Sequence, residues 1–223
     1  MNNMKMESET SWFRETSWFR LKGPDMSTNP NQDHPFTFHP LTPERWNDFE
    51  ALFGPRGACG GCWCMWWRIK RSDFDQQKGD ANRLALQQIV ATGEVPGLLA
   101  YDSAAGGPPV GWCSVAPRQA FPALERSRIL KRVDDQPVWS VVCFFIAKTY
   151  RRQGLTVSLL RAAVEYARQQ GARIVEGYPE DPKKDTIPPP FAFTGLASAF
   201  LQAGFVEVLR RSETRPIMRY YIN

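Results

Sequence analysis

A central stretch of the chain, residues 138–179, joins a buried strand to a long amphipathic helix and then to a second strand. Val138–Ala147 is nearly continuous in apolar residues, as expected for a strand that is covered on both faces. Thr156–Gln170 has apolar residues at helical spacing before the stop signal Gly171, and Arg173–Tyr178 is typical of another strand. This strand–helix–strand unit predicts an α/β fold, in which helices pack on a mixed sheet.

Strand and helix signals alternate along most of the chain, and they predict the element order β-α-α-β-β-β-α-β-α-β-β. The order begins with a strand at Phe36–His39 and a helix that starts after Thr42. A second helix is predicted at Asp80–Thr92, and strands at Phe205–Arg211 and Ile217–Ile222 close the chain. We therefore expect a mixed sheet with helices packed on it.

The first part of the chain differs from this pattern. The hexapeptide ETSWFR occurs twice in tandem, at residues 9–14 and 15–20, which is too short a unit for a repeat architecture. We predict that residues 1–33 are a disordered extension and that residues 34–223 form one domain. The alternative is an amphipathic helix in the extension that docks through its Trp and Phe side chains.

Composition limits the classes of function. The chain has 28 Lys and Arg against 23 Asp and Glu, a net charge of +5, without a dense basic stripe that would predict nucleic-acid binding. The longest apolar run, residues 141–147, is much shorter than the ~20 residues of a membrane-spanning helix. The N-terminus lacks the apolar region of a secretory signal, and the five cysteines are an odd number. We expect a cytoplasmic protein with free thiols and no nucleic-acid or membrane partner.

The turn between the central strand and the long helix predicts an anion site. Backbone N–H groups at a helix N-terminus lack partners and carry partial positive charge, and a glycine lets a phosphate approach the backbone. Two arginines add positive potential, and a threonine hydroxyl adds a donor. The six residues of the predicted pyrophosphate site are Arg151, Arg152, Gln153, Gly154, Leu155 and Thr156.

The element order and this turn resemble the GNAT superfamily of acetyl-CoA-dependent N-acetyltransferases. The family signature, Gln/Arg-x-x-Gly-x-Gly/Ala, corresponds to residues 151–156, where Thr156 replaces the small residue expected at the last position. The resemblance covers residues 36–223 and implies acetyl-CoA as co-substrate, with a splayed pair of central strands. It also implies that the backbones of Phe145 and Ile146 bind the pantetheine arm, that an oxyanion donor lies near Phe145, and that the chain could form a homodimer.

Acetyl transfer to an amine needs a group that removes a proton. Glu176 is the candidate base, because a carboxylate within an apolar strand is costly to bury without a purpose or a partner. A salt bridge from Glu176 to a neighbouring Arg or Lys is an equally good interpretation. Asp134 and Asp135, just before the central strand, are the reserve candidates.

The departing thiolate gains from a proton donor. In the resembled family this donor is often a tyrosine in the last helix, and the corresponding position here is Phe200. Ser198, Tyr178 and Cys143 are the candidate substitutes, and a water molecule is the alternative. Because Phe200 cannot donate a proton, a family member without catalytic activity is a further alternative.

A Cys- and Trp-rich segment at residues 59–68 reads CGGCWCMWWR. Tetrahedral zinc needs a fourth ligand and the chain has no second CxxC pair, so we predict no metal site. In the resembled family this region builds the acceptor pocket, in which Trp63, Trp66 and Trp67 would form flat walls for a cationic or sugar-like amine. The alternative is a Trp/Cys cluster that fills the core.

Together these features predict an N-acetyltransferase that moves an acetyl group from acetyl-CoA to a primary amine of a small molecule. The resemblance implies direct attack in a ternary complex. The alternative function is a non-catalytic acyl-CoA-binding or sensing domain.

Overall fold

A computed structural model describes residues 36–183 and 192–223. The described strands are β1 Phe36–Pro40, β2 Gly97–Asp102, β3 Gly111–Pro117, β4 Trp139–Ile146, β5 Ile174–Gly177, β6 Val206–Arg210 and β7 Pro216–Tyr221. The described helices are α1 Trp46–Phe53, α2 Arg71–Gln77, α3 Asp80–Ala91, α4 Pro122–Glu125, α5 Leu155–Gln169 and α6 Ala197–Gln202. The predicted extension, residues 1–33, lies outside the described residues.

Within the described residues the strands form one sheet in the order β1-β2-β3-β4-β5-β7-β6. Neighbouring strands are antiparallel except β4 and β5, which are parallel and are connected through α5. The prediction of an α/β fold with a mixed sheet is therefore confirmed. The structure adds α2 and α4, two short helices that the predicted order lacks.

Strands β4 and β5 separate soon after they meet. Their pairing is limited to Trp139–Val141 on β4 against Val175–Gly177 on β5. Strand β4 continues to Ile146 and stays paired with β3 over this stretch. The two parallel strands therefore open into a cleft at the C-terminal end of β4, where α5 begins.

The sheet is covered on both faces. Helix α5 packs its apolar face on one side through Leu155, Leu159 and neighbouring buried residues. On the other side Phe49 of α1 and Trp112 of β3 belong to a second buried cluster, with their ring centroids 4.9 Å apart. Cover on both faces explains why β4 is almost continuously apolar. Among the described residues, no helix combines the length and the apolar character that a bilayer-crossing helix needs.

Candidate functional site

One cavity of about 790 Å³ lies at the C-terminal end of β4. It extends from the N-terminus of α5, past the end of β4, to the Cys- and Trp-rich segment and α2. Three regions that are far apart in the sequence therefore share one continuous space. A volume of this size fits the range of sites that bind small molecules and cofactors.

The α5 end of the cavity is basic. Arg151, Arg152 and Thr156 line it, and the Arg151 Nε–H donates to the Ile146 carbonyl at 2.9 Å, which anchors this side chain against β4. Gly154 caps α5 with a left-handed backbone, φ 78°, and its missing side chain would face open space. The first N–H groups of α5 lack intrahelical partners. The turn therefore has the donors and the positive charge of an anion site.

Gln153 and Leu155, which also belong to the predicted pyrophosphate site, do not line the cavity. The Gln153 side-chain amide donates to the Thr149 carbonyl at 2.7 Å, so that it braces the turn. Leu155 is buried in the core against the sheet. Arg152 has a positive φ of 62°, a conformation that costs a non-glycine residue on the order of 1–3 kcal/mol and is often found at functional sites.

The end of β4 offers backbone groups to the cavity. Bonded and unbonded sides alternate along a strand, and Phe145 lies opposite Trp112 of β3. On the other side, the Phe144 N–H donates to the Phe193 carbonyl at 2.6 Å. The backbones of Phe144 and Ile146 therefore face the cavity. The backbone that faces the cavity beside Ile146 is thus that of Phe144 and not that of Phe145, and the expected contacts with pantetheine and with an oxyanion stay a prediction.

Glu176 lies in a buried ion network away from the cavity. Its exposed fraction is 1%, and it accepts from Arg118 Nη1 at 3.0 Å and from Arg219 Nε at 2.7 Å. The Tyr178 hydroxyl donates to the same carboxylate at 2.7 Å. Both carboxylate oxygens are thus occupied by donors, and Glu176 does not line the cavity. The assignment of Glu176 as the base is corrected to that of a structural ion-pair partner.

Asp134 belongs to the same network. It binds Arg219 through two hydrogen bonds of 2.7 and 3.0 Å. These hydrogen bonds hold the pKa of Asp134 down to about 2. A carboxylate that is this acidic and this strongly paired is a poor base at neutral pH. Asp135, the other reserve candidate, is exposed and also does not line the cavity.

Of the candidate acids, Cys143 lines the cavity, whereas Tyr178 and Ser198 do not. Tyr178 is fully buried; burial and the nearby Glu176 charge raise its pKa well above the usual value, and its hydroxyl lies 2.9 Å from that of Ser140. Ser198 is exposed on α6, whereas the next residue on that helix, Ala199, lines the cavity. Phe200 is a core residue, with its ring 6.2 Å from that of Phe144. The positions of Tyr178 and Ser198 therefore do not support either residue as the proton donor.

The three tryptophans of the Cys- and Trp-rich segment have different positions. Trp66 and Trp67 line the cavity, and their role in an acceptor pocket stays a prediction. Trp63 is 4% exposed and stacks on Phe53 at 5.7 Å, and it does not line the cavity. The core-filling alternative therefore describes Trp63. The guanidinium of Arg71 lies 3.9 Å above the Trp66 ring and holds that ring in place.

Four free cysteines line the same cavity: Cys59, Cys62, Cys64 and Cys143. Burial raises the pKa of Cys62 to about 11. No group of three or more His, Cys, Asp or Glu side chains within residues 36–183 and 192–223 is arranged to hold a metal ion.

The charges along the cavity wall share one sign. The charged side chains among its described lining residues are Lys78, Arg151 and Arg152, and none of these lining residues is a carboxylate or a histidine. Lys78 pairs with Asp75 at 3.0 Å and lies near the Phe74 ring. The sequence does not indicate Lys78 and Phe74 as lining residues, because the short helix α2 has a single buried apolar residue and no clear periodic pattern.

The sequence matches the acetyltransferase (GNAT) family over residues 63–182. An acetyltransferase of the GNAT family from Listeria monocytogenes has a similar fold, with a TM-score of 0.52 and 9% identity over 84% of this chain and 95% of that chain. The PaiA N-acetyltransferase from Thermoplasma acidophilum, solved with coenzyme A, aligns with a TM-score of 0.47 and 12% identity over 84% of this chain and 99% of that chain.

The ribosomal-protein-S5-alanine acetyltransferase from Vibrio fischeri aligns with a TM-score of 0.47 and 12% identity, over 85% of this chain and 94% of that chain. No curated protein matches the sequence. At these identities the similarity to the Listeria structure concerns the fold.

Proposed function

Because the chain belongs to the GNAT acetyltransferase family, we propose that it transfers an acetyl group from acetyl-CoA to a primary amine of a small molecule. The amine attacks the thioester directly while both substrates are bound. One observation carries this proposal: a single cavity connects the basic N-terminus of α5, the open end of β4 and an aromatic pocket. Both substrates of a direct transfer need such a shared space.

In this proposal, acetyl-CoA occupies the α5 end of the cavity. The pyrophosphate binds the first N–H groups of α5 together with Arg151 and Arg152. The pantetheine arm follows Ile146 and Phe144 along the edge of β4. The thioester oxygen then accepts from the Phe144 N–H, so the Phe193 carbonyl, which accepts this N–H in the structure, gives way to the coenzyme.

The acceptor amine occupies the aromatic end. Its walls are flat and apolar, the charged lining residue at this end is the cation Lys78, and the guanidinium of Arg71 lies on the Trp66 ring, so an acceptor with several positive charges is disfavoured. We therefore favour an amine with an apolar or aromatic body over the cationic or sugar-like amine expected from sequence. The aromatic residues of this end are Phe53, Trp66, Trp67, Phe74 and Phe145.

Replacing Trp66 with alanine should weaken amine binding without affecting the coenzyme. We expect the KM for the amine to rise about 10-fold, since a stacked aromatic contact adds roughly 1 kcal/mol beyond its buried area. Trp63→Ala should instead lower the free energy of unfolding by about 3–5 kcal/mol, because Trp63 is a core residue. Steady-state kinetics and urea unfolding of both variants test this contrast, and a Trp63→Ala protein of normal stability would contradict it.

A turnover screen tests the function itself. The protein is incubated with acetyl-CoA and a panel of aromatic amines, aliphatic amines, polyamines, aminoglycosides and peptides with free N-termini. Free coenzyme A thiol is measured, and the product is identified by mass. We expect acetylation of an apolar primary amine. Acetylation restricted to peptide N-termini would contradict the small-molecule acceptor, and it would align the chain with protein acetyltransferases such as the one from Vibrio.

A non-catalytic acyl-CoA-binding or sensing domain is the second candidate. It is favoured by the absence of a carboxylate among the described cavity-lining residues and by the hydrogen bond that already occupies the Phe144 N–H. Such a domain would bind acetyl-CoA tightly in the same screen but release no thiol with any amine.

The free cysteines agree with a cytoplasmic location, which stays part of this proposal.

A further inference from the structure

The aromatic end of the cavity carries a positive charge. Lys78, which directly follows α2, lines this end together with Trp66, Trp67 and Phe74. None of the described lining residues of the cavity is a carboxylate or a histidine. An ammonium group in such a wall attracts an anion and repels a second cation. The lining of this end therefore favours an acceptor that has a negatively charged group.

The backbone fixes the position of Lys78 at the cavity. The next residue, Gly79, donates its N–H to the Gly61 carbonyl at 3.0 Å, and the buried Asn82 amide donates to the same carbonyl at 3.1 Å. A side chain at Gly61, where φ is 71°, would collide with the Gly79 backbone. The turn between α2 and α3 is thus held against the loop at residues 57–61, several residues of which line the cavity.

Lys78 keeps hydrogen-bond donors for a further partner. Its Nζ lies 3.0 Å from one oxygen of Asp75, and the Arg71 Nε–H donates to the other oxygen at 3.0 Å. One carboxylate therefore serves two cations, and this group of three keeps an excess positive charge. A lysine ammonium group has three N–H donors, of which Asp75 takes one. Asp75 does not line the cavity, whereas Lys78 does.

A phosphate of the coenzyme is the alternative partner for Lys78. The proposed pyrophosphate position lies beside Arg151 and Arg152, which belong to the turn before α5. Lys78 belongs to a different part of the wall, and its Nζ lies 5.6 Å from the centre of the Phe74 ring. These aromatic surroundings favour the acceptor over the coenzyme as the source of the anion.

We propose that the acceptor is an amino acid with an apolar or aromatic side chain, and that Lys78 binds its carboxylate. This inference rests on the proposed function and names the substrate class of the same site. The side chain of the amino acid packs on Trp66 and Trp67, and its amine is directed towards the open end of β4. Lys78 is then a residue that determines specificity.

The carboxylate also offsets the charge of the amine. An amine without an anionic group brings a second positive charge next to Lys78, and like charges repel. A free amino acid has no net charge, and its carboxylate pairs with Lys78 beside an apolar wall, where water screens the pair less than in bulk. A site with a group for a substrate anion disfavours the analogue that lacks the anion, because the group is left without its partner.

Three matched pairs of probes test this substrate class. They are phenylalanine with phenethylamine, tryptophan with tryptamine, and leucine with 3-methylbutylamine, and the members of each pair differ by the carboxylate. Calorimetric titration in the presence of coenzyme A measures their binding without turnover. For at least one pair we expect the amino acid to bind about 10-fold more tightly than its amine. If no amino acid binds more tightly than its amine, the inference is overturned.

Lys78→Met should remove this preference. Methionine keeps an apolar stem beside the Phe74 ring, and Asp75 keeps its ion pair with Arg71. Because Lys78 is about half exposed, we expect the Kd for the amino acid to rise only about 5- to 10-fold. The Kd for the matched amine should stay the same or fall. Lys78→Arg, which keeps the charge, should retain the preference.

Lys70→Met is the control for the loss of one positive charge. Lys70 precedes α2, is exposed and does not line the cavity. This variant should keep the wild-type preference for the amino acid. The affinity for coenzyme A should be unchanged in both variants, since the proposal gives Lys78 no contact with the phosphates.

The outcomes separate this inference from the proposed function. If the wild type acetylates amines and Lys78→Met changes the affinities for amino acid and amine equally, the substrate class is overturned and the proposed function stands. If Lys78→Met weakens coenzyme A binding and leaves the preference intact, Lys78 binds a coenzyme phosphate and the inference is overturned. If no amine is acetylated, the proposed function fails, and the calorimetric comparison still decides whether Lys78 selects a carboxylate.

Discussion

Reversing the charge of Arg151 and Arg152 together is expected to weaken acetyl-CoA binding by roughly 100-fold or more. Both side chains line the α5 end of the cavity, where the proposal puts the pyrophosphate. A hydrogen bond to a charged group contributes about 1.5–3 kcal/mol, so the loss of two such bonds should raise the Kd for acetyl-CoA by about 100-fold or more. Two glutamates would also repel the phosphates. Calorimetric titration with acetyl-CoA measures the effect.

Arg126 and Arg128 provide the matched control. Both are exposed and neither lines the cavity, so that Arg126→Glu with Arg128→Glu changes the net charge equally. We expect this control to retain the wild-type affinity within a few-fold, through weak long-range electrostatics alone. Equal losses in the two double variants would show that overall charge, and not the turn before α5, determines coenzyme affinity. Urea unfolding of both proteins checks that the fold is intact.

Replacing Glu176 with glutamine is expected to lower the free energy of unfolding by about 3–5 kcal/mol. Glu176 lies between the buried side chains of Arg118 and Arg219, and the neutral amide would leave two buried guanidinium groups without this compensating charge. Equilibrium urea unfolding measures the change. Because Glu176 does not line the cavity, the pH profile of turnover should keep its shape at a temperature where the variant is folded.

Glu165→Gln on α5 is the control for this prediction. Glu165 pairs with Arg168 at 2.7 Å, but both side chains are about half exposed. Exposed pairs of this kind contribute roughly 0–1 kcal/mol, so this variant should be nearly as stable as the wild type. If the Glu176→Gln protein is stable but its turnover no longer falls towards low pH as that of the wild type does, Glu176 is the base after all.

The fold could be predicted from the sequence because its main signals are local. The apolar run of β4, the glycine turn at Gly154 and the amphipathic helix α5 follow one another directly, and each has its own periodicity or cap. Helix α2 was missed because the segment Arg71–Gln77 has one buried residue, Phe74, and therefore little periodicity. Its packing on the Cys- and Trp-rich segment is a tertiary property.

The sequence indicates parts of the candidate site only where they depend on local backbone geometry. A glycine and two arginines before a helix are visible in the sequence, and the structure has this turn at the start of α5, where the anion site stays a prediction. The partners of Glu176 are Arg118 and Arg219, which lie 58 and 43 residues away, and no local pattern indicates which alternative for this carboxylate applies. Both the ion pair and the base were compatible with the sequence.

Sequence also does not show whether the backbone of Phe145 or that of Phe144 faces the cavity. The sequence predicts strand β4, but which of two adjacent backbones faces the cavity depends on the register with β3. The Phe144 N–H donates away from β3 to the Phe193 carbonyl, and the Ala147 N–H donates to Val110 next to β3, so by alternation along the strand the backbone of Phe145 faces β3 and not the cleft. A shift of one residue reverses every assignment along a strand, so residue-level roles there required the structure.

A crystal structure of the protein with coenzyme A would show where the coenzyme binds. We expect the pyrophosphate on the backbone N–H groups at the start of α5, beside Arg151 and Arg152. We expect the pantetheine arm along Ile146 and Phe144, with the Phe193 carbonyl displaced and the thiol directed toward Trp66. Coenzyme A bound outside this cavity, or a cavity that stays closed by the Phe144–Phe193 hydrogen bond at saturating coenzyme, would rule out the proposed site.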